Sequence, residues 1–178
     1  MARRVYFAFH YERDIFRVNV VRQSNVVLGA ADAGFADKSE YEQVKRKDPQ
    51  EIARRLREKM KGTSVTAVLI GRETWQRDWV AWEIEQSVAN KNGLLGVFIH
   101  HVSSLGEVEP IAPPPRIPSV PRGVPFPILY WNTRDLSEFS AHVEAAGQRS
   151  DQLRAAERAA FQLMLAGKLG KSKSWWDT

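Results

Sequence analysis

Cysteine is absent from all 178 residues. That excludes disulfides, thiolate nucleophiles and cysteine-based zinc sites, and it fits a reducing compartment. No apolar run approaches the roughly 18 residues that a membrane-spanning helix needs, so no membrane partner is expected. The amino terminus, Met1-Ala2-Arg3-Arg4 leading straight into an apolar segment, has no signal-peptide cleavage pattern, which points to a cytoplasmic protein. Histidines number only four, and the adjacent pair His100-His101 would point apart on a strand, so no metal is expected. Proline is all but missing outside one stretch, since eight of the nine lie between Pro110 and Pro127. Such a stretch cannot be helix or sheet interior. It predicts an extended surface loop over residues 108–127, ordered at its ends and mobile in its middle, inserted before the last strand. No internal repeat is visible.

What is present suits one domain over residues 1–166 with a short tail at 167–178. That tail is basic and ends in Trp175-Trp176 near the terminus. The net charge of +5 and pI near 9.6 favour anionic partners such as nucleotide phosphates. Lys and Arg are scattered rather than gathered in a stripe, which argues against a nucleic-acid surface. Gly170-Lys171-Ser172 looks like the end of a phosphate-binding loop, but Leu165 stands where the first glycine is required.

Hydrophobic patterning divides the chain into alternating strands and helices. Val5 to Phe9, Val65 to Ile70, Leu94 to Ile99 and Ile128 to Trp131 are short continuous apolar runs, as in parallel strands covered on both faces. A short edge strand is expected near Gly34-Phe35-Ala36. Helices are predicted after the first strand, with Asp14 as cap and an end near Asn25, and over Pro49 to Lys61, where Asp48 caps, Pro49 opens and Gly62 stops. Two more are predicted over Leu136 to Ala146 and Asp151 to Ala166. Right-handed crossovers make this βα alternation an α/β fold: a parallel sheet of about five strands in flavodoxin-like order, flanked by helices.

One βα unit carries the chemistry. Val65 to Ile70 ends at Gly71 and is followed by Trp79-Val80-Ala81-Trp82-Glu83-Ile84-Glu85, in which Val80, Ile84 and Val88 form the stripe that faces the sheet. Glu83 lies on one flank with Gln76, Trp79 and Ser87. A helix leaving a parallel strand begins at the carboxyl edge of the sheet, where open α/β folds bind ligands. Glu83 is thus the carboxylate nearest the expected cleft, and Trp79 sits one turn before it. A glutamate on a helix flank is ordinarily a solvated residue, and Trp79 could equally seal the helix to the sheet.

The segments Val5 to Asp14, Lys61 to Gly71, Trp79 to Ile84 and Asn92 to Val97, in that order, resemble the TIR-like family that includes the TIR protein of the bacterial Thoeris anti-phage system. Trp79 to Glu83 is similar to the W-x-x-x-E pattern of NAD-cleaving TIR domains. The resemblance implies a flavodoxin-like TIR fold and NAD as substrate, cleaved at the nicotinamide-ribose bond. The ADP-ribosyl product would be cyclised into a small-molecule signal for a downstream effector protein. By the same resemblance Glu83 is the catalytic glutamate, Trp79 a wall of the nicotinamide pocket, and Phe9, His10 and Tyr11 the lining from the first loop. Asp37 to Tyr41 would belong to the loop that covers the cleft, with Asp37 a substrate contact. Arg13, Arg17 and Arg72 are candidates for the diphosphate. Homo-oligomerisation is a further expectation. Two competing readings are a non-catalytic TIR scaffold and an enzyme acting on another nucleoside or nucleotide N-glycosidic bond.

Overall fold

The computed structural model describes residues 3–24, 48–102 and 113–172, with side chains through 166. Within them lie β1 (Val5–Phe9), α1 (Tyr11–Gln23), α2 (Pro49–Met60), β2 (Val65–Ile70), a 3-10 turn (Thr74–Gln76), α3 (Asp78–Ala89), β3 (Gly93–Phe98), β4 (Ile128–Tyr130) and α4 (Ser137–Ser172). The four strands pair in parallel in the order β1-β2-β3-β4, with Val5 opposite Val65, Val65 opposite Gly93 and Gly96 opposite Ile128. Among the described residues this is the 1-3-4-5 part of a flavodoxin-like 2-1-3-4-5 order. The edge strand expected at Gly34 to Ala36 lies outside the described residues.

Every residue of β1, β2 and β3 is buried, as the unbroken apolar runs demand. Strand alternation divides the core in two. Val5, Phe7, Phe9, Ala67, Leu69, Leu95 and Val97 face one side, where Val18 and Val21 of α1 and Phe139, Val143 and Ala146 of α4 close over them. Tyr6, Ala8, Val68, Ile70, Leu94 and Phe98 face the other, under Val80 and Ile84 of α3 and Met60 of α2. The Val80-Ile84-Val88 stripe therefore seats α3 on the face that carries Tyr6.

Polar contacts fix that seating. The Thr66 hydroxyl donates to Ser87 Oγ at 2.8 Å, Ser87 Oγ donates to the Glu83 carbonyl at 2.7 Å, and Asn92 Nδ2 donates to Thr66 Oγ1 at 3.2 Å. All of these groups are buried, so each bond also satisfies a group that would otherwise be costly to bury. At the other end of the sheet β3 begins with Gly93 because α4 lies directly on it: a Cβ there would stand 1.9 Å from the Ala146 carbonyl oxygen.

Four local expectations are corrected or sharpened. First, α1 starts at Tyr11 with His10 in the cap position, not at Asp14. The Asp14 side chain is buried and pairs with Arg17 at 3.4 Å, beside Gly71, where a Cβ would meet its carboxylate at 2.2 Å. A carboxylate held there has no reach to cap.

Second, α4 is one helix rather than two. Gly147 and its neighbours do not break it, because Arg3 crosses at Gly147 and pairs with Glu144 at 2.9 Å and Asp151 at 2.7 Å, on either side of the expected gap. Third, residues 113–127 form no helix or strand, as expected of a loop, and their later part is packed. Val120, Val124 and Phe126 pack on the Tyr6 face of the sheet, and Phe126 presses on Gly96. Fourth, β3 ends before His100 and His101, so strand alternation no longer governs them and their rings meet edge-on at 5.3 Å. Among the described residues no helix is long and apolar enough to cross a membrane.

Candidate active site

The carboxyl end of β1 and the start of α3 meet around a cavity of about 270 Å3. Its walls are Phe9, His10, Tyr11 and Glu12 from the β1–α1 junction, Gln76 to Val80 and Glu83 from the start of α3, and Leu56 from α2. Phe9, His10, Tyr11, Trp79 and Glu83, named from separate stretches of sequence, share this one space. Asp37 and the covering segment to Tyr41 lie outside the described residues. The volume falls just under the ~300–1,000 Å3 of pockets that enclose drug-sized ligands.

Glu83 is not the exposed rim residue that its place on the helix flank implied. Only 5 % of it is accessible. The reason lies in Tyr6, which the apolar run Val5 to Phe9 concealed: its ring is fully buried under α3 and its hydroxyl donates to Glu83 Oε1. Burial pushes the Glu83 carboxyl up to about 8, against a smaller downward pull from the Tyr6 hydrogen bond. The same burial, with the nearby Glu83 charge, drives the Tyr6 phenol well above its ordinary value. Among the described residues no cationic side chain pairs with Glu83, so the acid is mostly neutral at pH 7 until a positive charge arrives.

Trp79 stands at the mouth, about a third exposed, with its ring edge-on to Trp82 at 5.6 Å. Trp82 in turn lies under the Arg57 guanidinium and against Ile52 and Leu56, which braces the outer wall. Phe9 serves two surfaces: it belongs to the α1 side of the core and also touches the cavity. His10 is buried, its Nδ1 has no hydrogen-bond partner, and burial followed by the Arg77 charge lowers its proton affinity, so the ring is neutral at pH 7.

None of the three arginines proposed for a diphosphate lines the cavity. Arg17 donates to the Val102 carbonyl at 3.1 Å, and Arg13 pairs with Glu73 at 2.7 Å. Arg77, immediately before α3, is the arginine among the described residues that lines it, and it also pairs with Glu73 at 3.0 Å. Its signal in the sequence was its location at the helix start, two residues before Trp79.

A larger cavity, about 390 Å3, lies between the start of β3, Val124-Pro125 and α4. It holds Arg149 but no carboxylate, so it lacks the chemistry of the first.

Comparisons with known proteins agree with the architecture. A protein of Bacillus cereus (strain MSX-D12) carrying the name "Putative cyclic ADP-D-ribose synthase ThsB1" is 42 % identical over 102 residues, 56 % of this chain and 53 % of that protein. The chain thus spans about half the length of that relative. The family described as Thoeris protein ThsB, TIR-like domain, matches residues 6–104, which include β1 from its second residue, α1, α2, β2, α3, β3 and every wall of the Glu83 cavity. On that match, the chain belongs to the Thoeris ThsB TIR-like family.

Proposed function

We propose that this chain is an NAD-cleaving enzyme of bacterial anti-phage defence that makes a cyclic ADP-ribose type messenger for a partner effector. The observation that carries the reading is the Glu83 carboxyl, buried at the floor of a cavity with Trp79 at its mouth and, among the described residues, no cationic side chain paired with it. The relative's name, with its reference to cyclic ADP-D-ribose synthesis, supports the same reading.

The reaction fits these residues. NAD carries a cationic pyridinium, and breaking the C1′–N bond sends the electron pair to nitrogen and releases neutral nicotinamide. No general acid has to protonate the leaving group. The ribose carbon left behind gains positive charge, which an ionised Glu83 stabilises from close range in a site poor in water. The substrate's positive charge favours loss of the Glu83 proton, so the group ionises when the pyridinium enters. Trp79 offers its face to the same ring, a contact worth roughly 1–2 kcal/mol. Backbone N–H groups at the starts of α1 and α3, with Arg77, would receive the diphosphate. Cyclisation follows when a nucleophile on the same ADP-ribosyl group attacks C1′ and loses its proton, so no water is added.

Product mass tests the proposal. Incubation with NAD should yield nicotinamide and a product equal to NAD minus nicotinamide; a product heavier by one water would make the chain a hydrolase instead. The scaffold reading has one observation in its favour: Leu153, Phe161, Leu163, Met164 and Leu165 of α4 are exposed and apolar. It predicts no product at all.

A further inference from the structure

We propose that the Tyr6 hydroxyl is the positioning group for Glu83: from the centre of the sheet it holds the carboxyl aimed at the cavity and stabilises the ionised form that bond cleavage needs. The inference rests on the reading of Glu83 as the group facing the nicotinamide ribose.

The two side chains are each other's answer. Tyr6 is wholly inaccessible, and among the described residues its hydroxyl has one hydrogen bond, to Glu83 Oε1. Glu83 in turn receives no other side-chain donor among the described residues. Burying a phenol and a carboxyl for packing alone would be a poor solution, since Phe and Met or Leu fill such space without a desolvation penalty. The arrangement makes sense if the carboxyl has work to do at the cavity and the phenol sets its direction.

The backbone of Glu83 is already fixed. Ser87 Oγ donates to the Glu83 carbonyl at 2.7 Å and accepts from Thr66 of β2 at 2.8 Å, which ties this turn of α3 to the sheet. Rotation of the Glu83 side chain is the freedom left, and Tyr6 removes it. Other ionisable groups surround the pair without bonding to it. His10 and Glu12 face the cavity from the start of α1, Arg77 and Asp78 from the start of α3, and α2 contributes only Leu56. The Arg22 charge reaches Tyr6 and lowers its phenol slightly. None of them donates to the Glu83 carboxyl, so the phenol is the group whose removal should be felt there.

The test follows the Glu83 proton directly. Full-length chain carrying 13C at the glutamate carboxyl is titrated by NMR, with the Glu83 signal identified by its loss in Glu83→Gln. Tyr6→Phe should raise the Glu83 midpoint by about one pH unit, the size expected when a carboxylate loses a charge-assisted hydrogen bond. Nicotinamide release by the same variant should show kcat about tenfold lower at neutral pH with KM little changed, recovering as pH rises. An unmoved or lowered midpoint overturns the proposal. So does a loss of kcat that is the same at every pH. If Tyr6→Phe does not fold, the wild-type chain grown with 3-fluorotyrosine replaces it: the more acidic phenol should lower the midpoint, and a midpoint that stays put overturns the proposal equally. The titration needs no turnover, so a midpoint that moves in a chain that never releases nicotinamide sinks the NAD reading while leaving the hold of Tyr6 on Glu83 intact.

Discussion

Replacing Glu83 by Gln should stabilise the protein, and by an amount that grows with pH. The wild-type acid has its proton affinity raised from 4.5 to about 8 by burial. Below pH 4.5 it is protonated in both folded and unfolded chains and contributes no pH dependence. Between 4.5 and about 8 the unfolded chain gives up the proton and the folded chain keeps it, so wild-type stability falls as pH rises, by at most about 1.4 kcal/mol per pH unit. From pH 5 to pH 7 the loss is roughly 2–3 kcal/mol. Gln has the same shape, its amide oxygen still accepts from Tyr6, and it does not titrate. Urea unfolding of both proteins at pH 5, 6, 7 and 8 measures the difference, in which every other titrating group cancels. A gap that widens by roughly 2–3 kcal/mol between pH 5 and pH 7 fits the burial argument. Parallel stability curves would refute it, because they would mean that Glu83 ionises as easily inside the protein as outside.

The remaining predictions concern other parts of the frame. Trp79→Ala should reduce kcat/KM about tenfold through loss of the stacking wall, with little change in Tm, because Trp79 is already about a third exposed; steady-state kinetics beside a melting curve checks both. Gly93→Ala places a methyl 1.9 Å from the Ala146 carbonyl oxygen, a backbone atom that cannot swing aside, and should cost about 3 kcal/mol or prevent folding. Asp48→Ala removes the cap that accepts from the Gln50 N–H at 3.0 Å and should cost about 1 kcal/mol in urea unfolding, leaving the Glu83 cavity unaffected. The pH profile of kcat/KM should rise with pH through a midpoint near 8 and level off above it, as the fraction of ionised Glu83 grows.

The architecture was legible because its signals are local and strong. Unbroken apolar runs marked β1, β2 and β3, and Asp48-Pro49 marked the start of α2. The stripe Val80-Ile84-Val88 oriented α3 and so placed Glu83 and Trp79 on the side of β1. What sequence could not supply were contacts between distant segments. Tyr6 reads as one more apolar residue until α3 is laid over it. The burial of Glu83, 77 positions away along the chain, is a property of that packing rather than of the helix. The continuity of α4 depended on Arg3, at the far end of the chain, bonding on both sides of Gly147. Cavity lining by arginine depended on the same long-range contacts: Arg13 pairs with Glu73 and Arg17 with Asp14 and the Val102 carbonyl, while Arg77 lines the cavity from the helix start.

One acid carries the proposed chemistry. Nicotinamide released from NAD should be measured for the wild-type chain and for Glu83→Gln, with folding of both verified by the urea curves. Steady release by the wild type, and release at least about a hundredfold slower in the variant, is the predicted result. Equal rates in the two proteins, or no nicotinamide from either, would contradict the assignment of Glu83 as the group that breaks the nicotinamide-ribose bond.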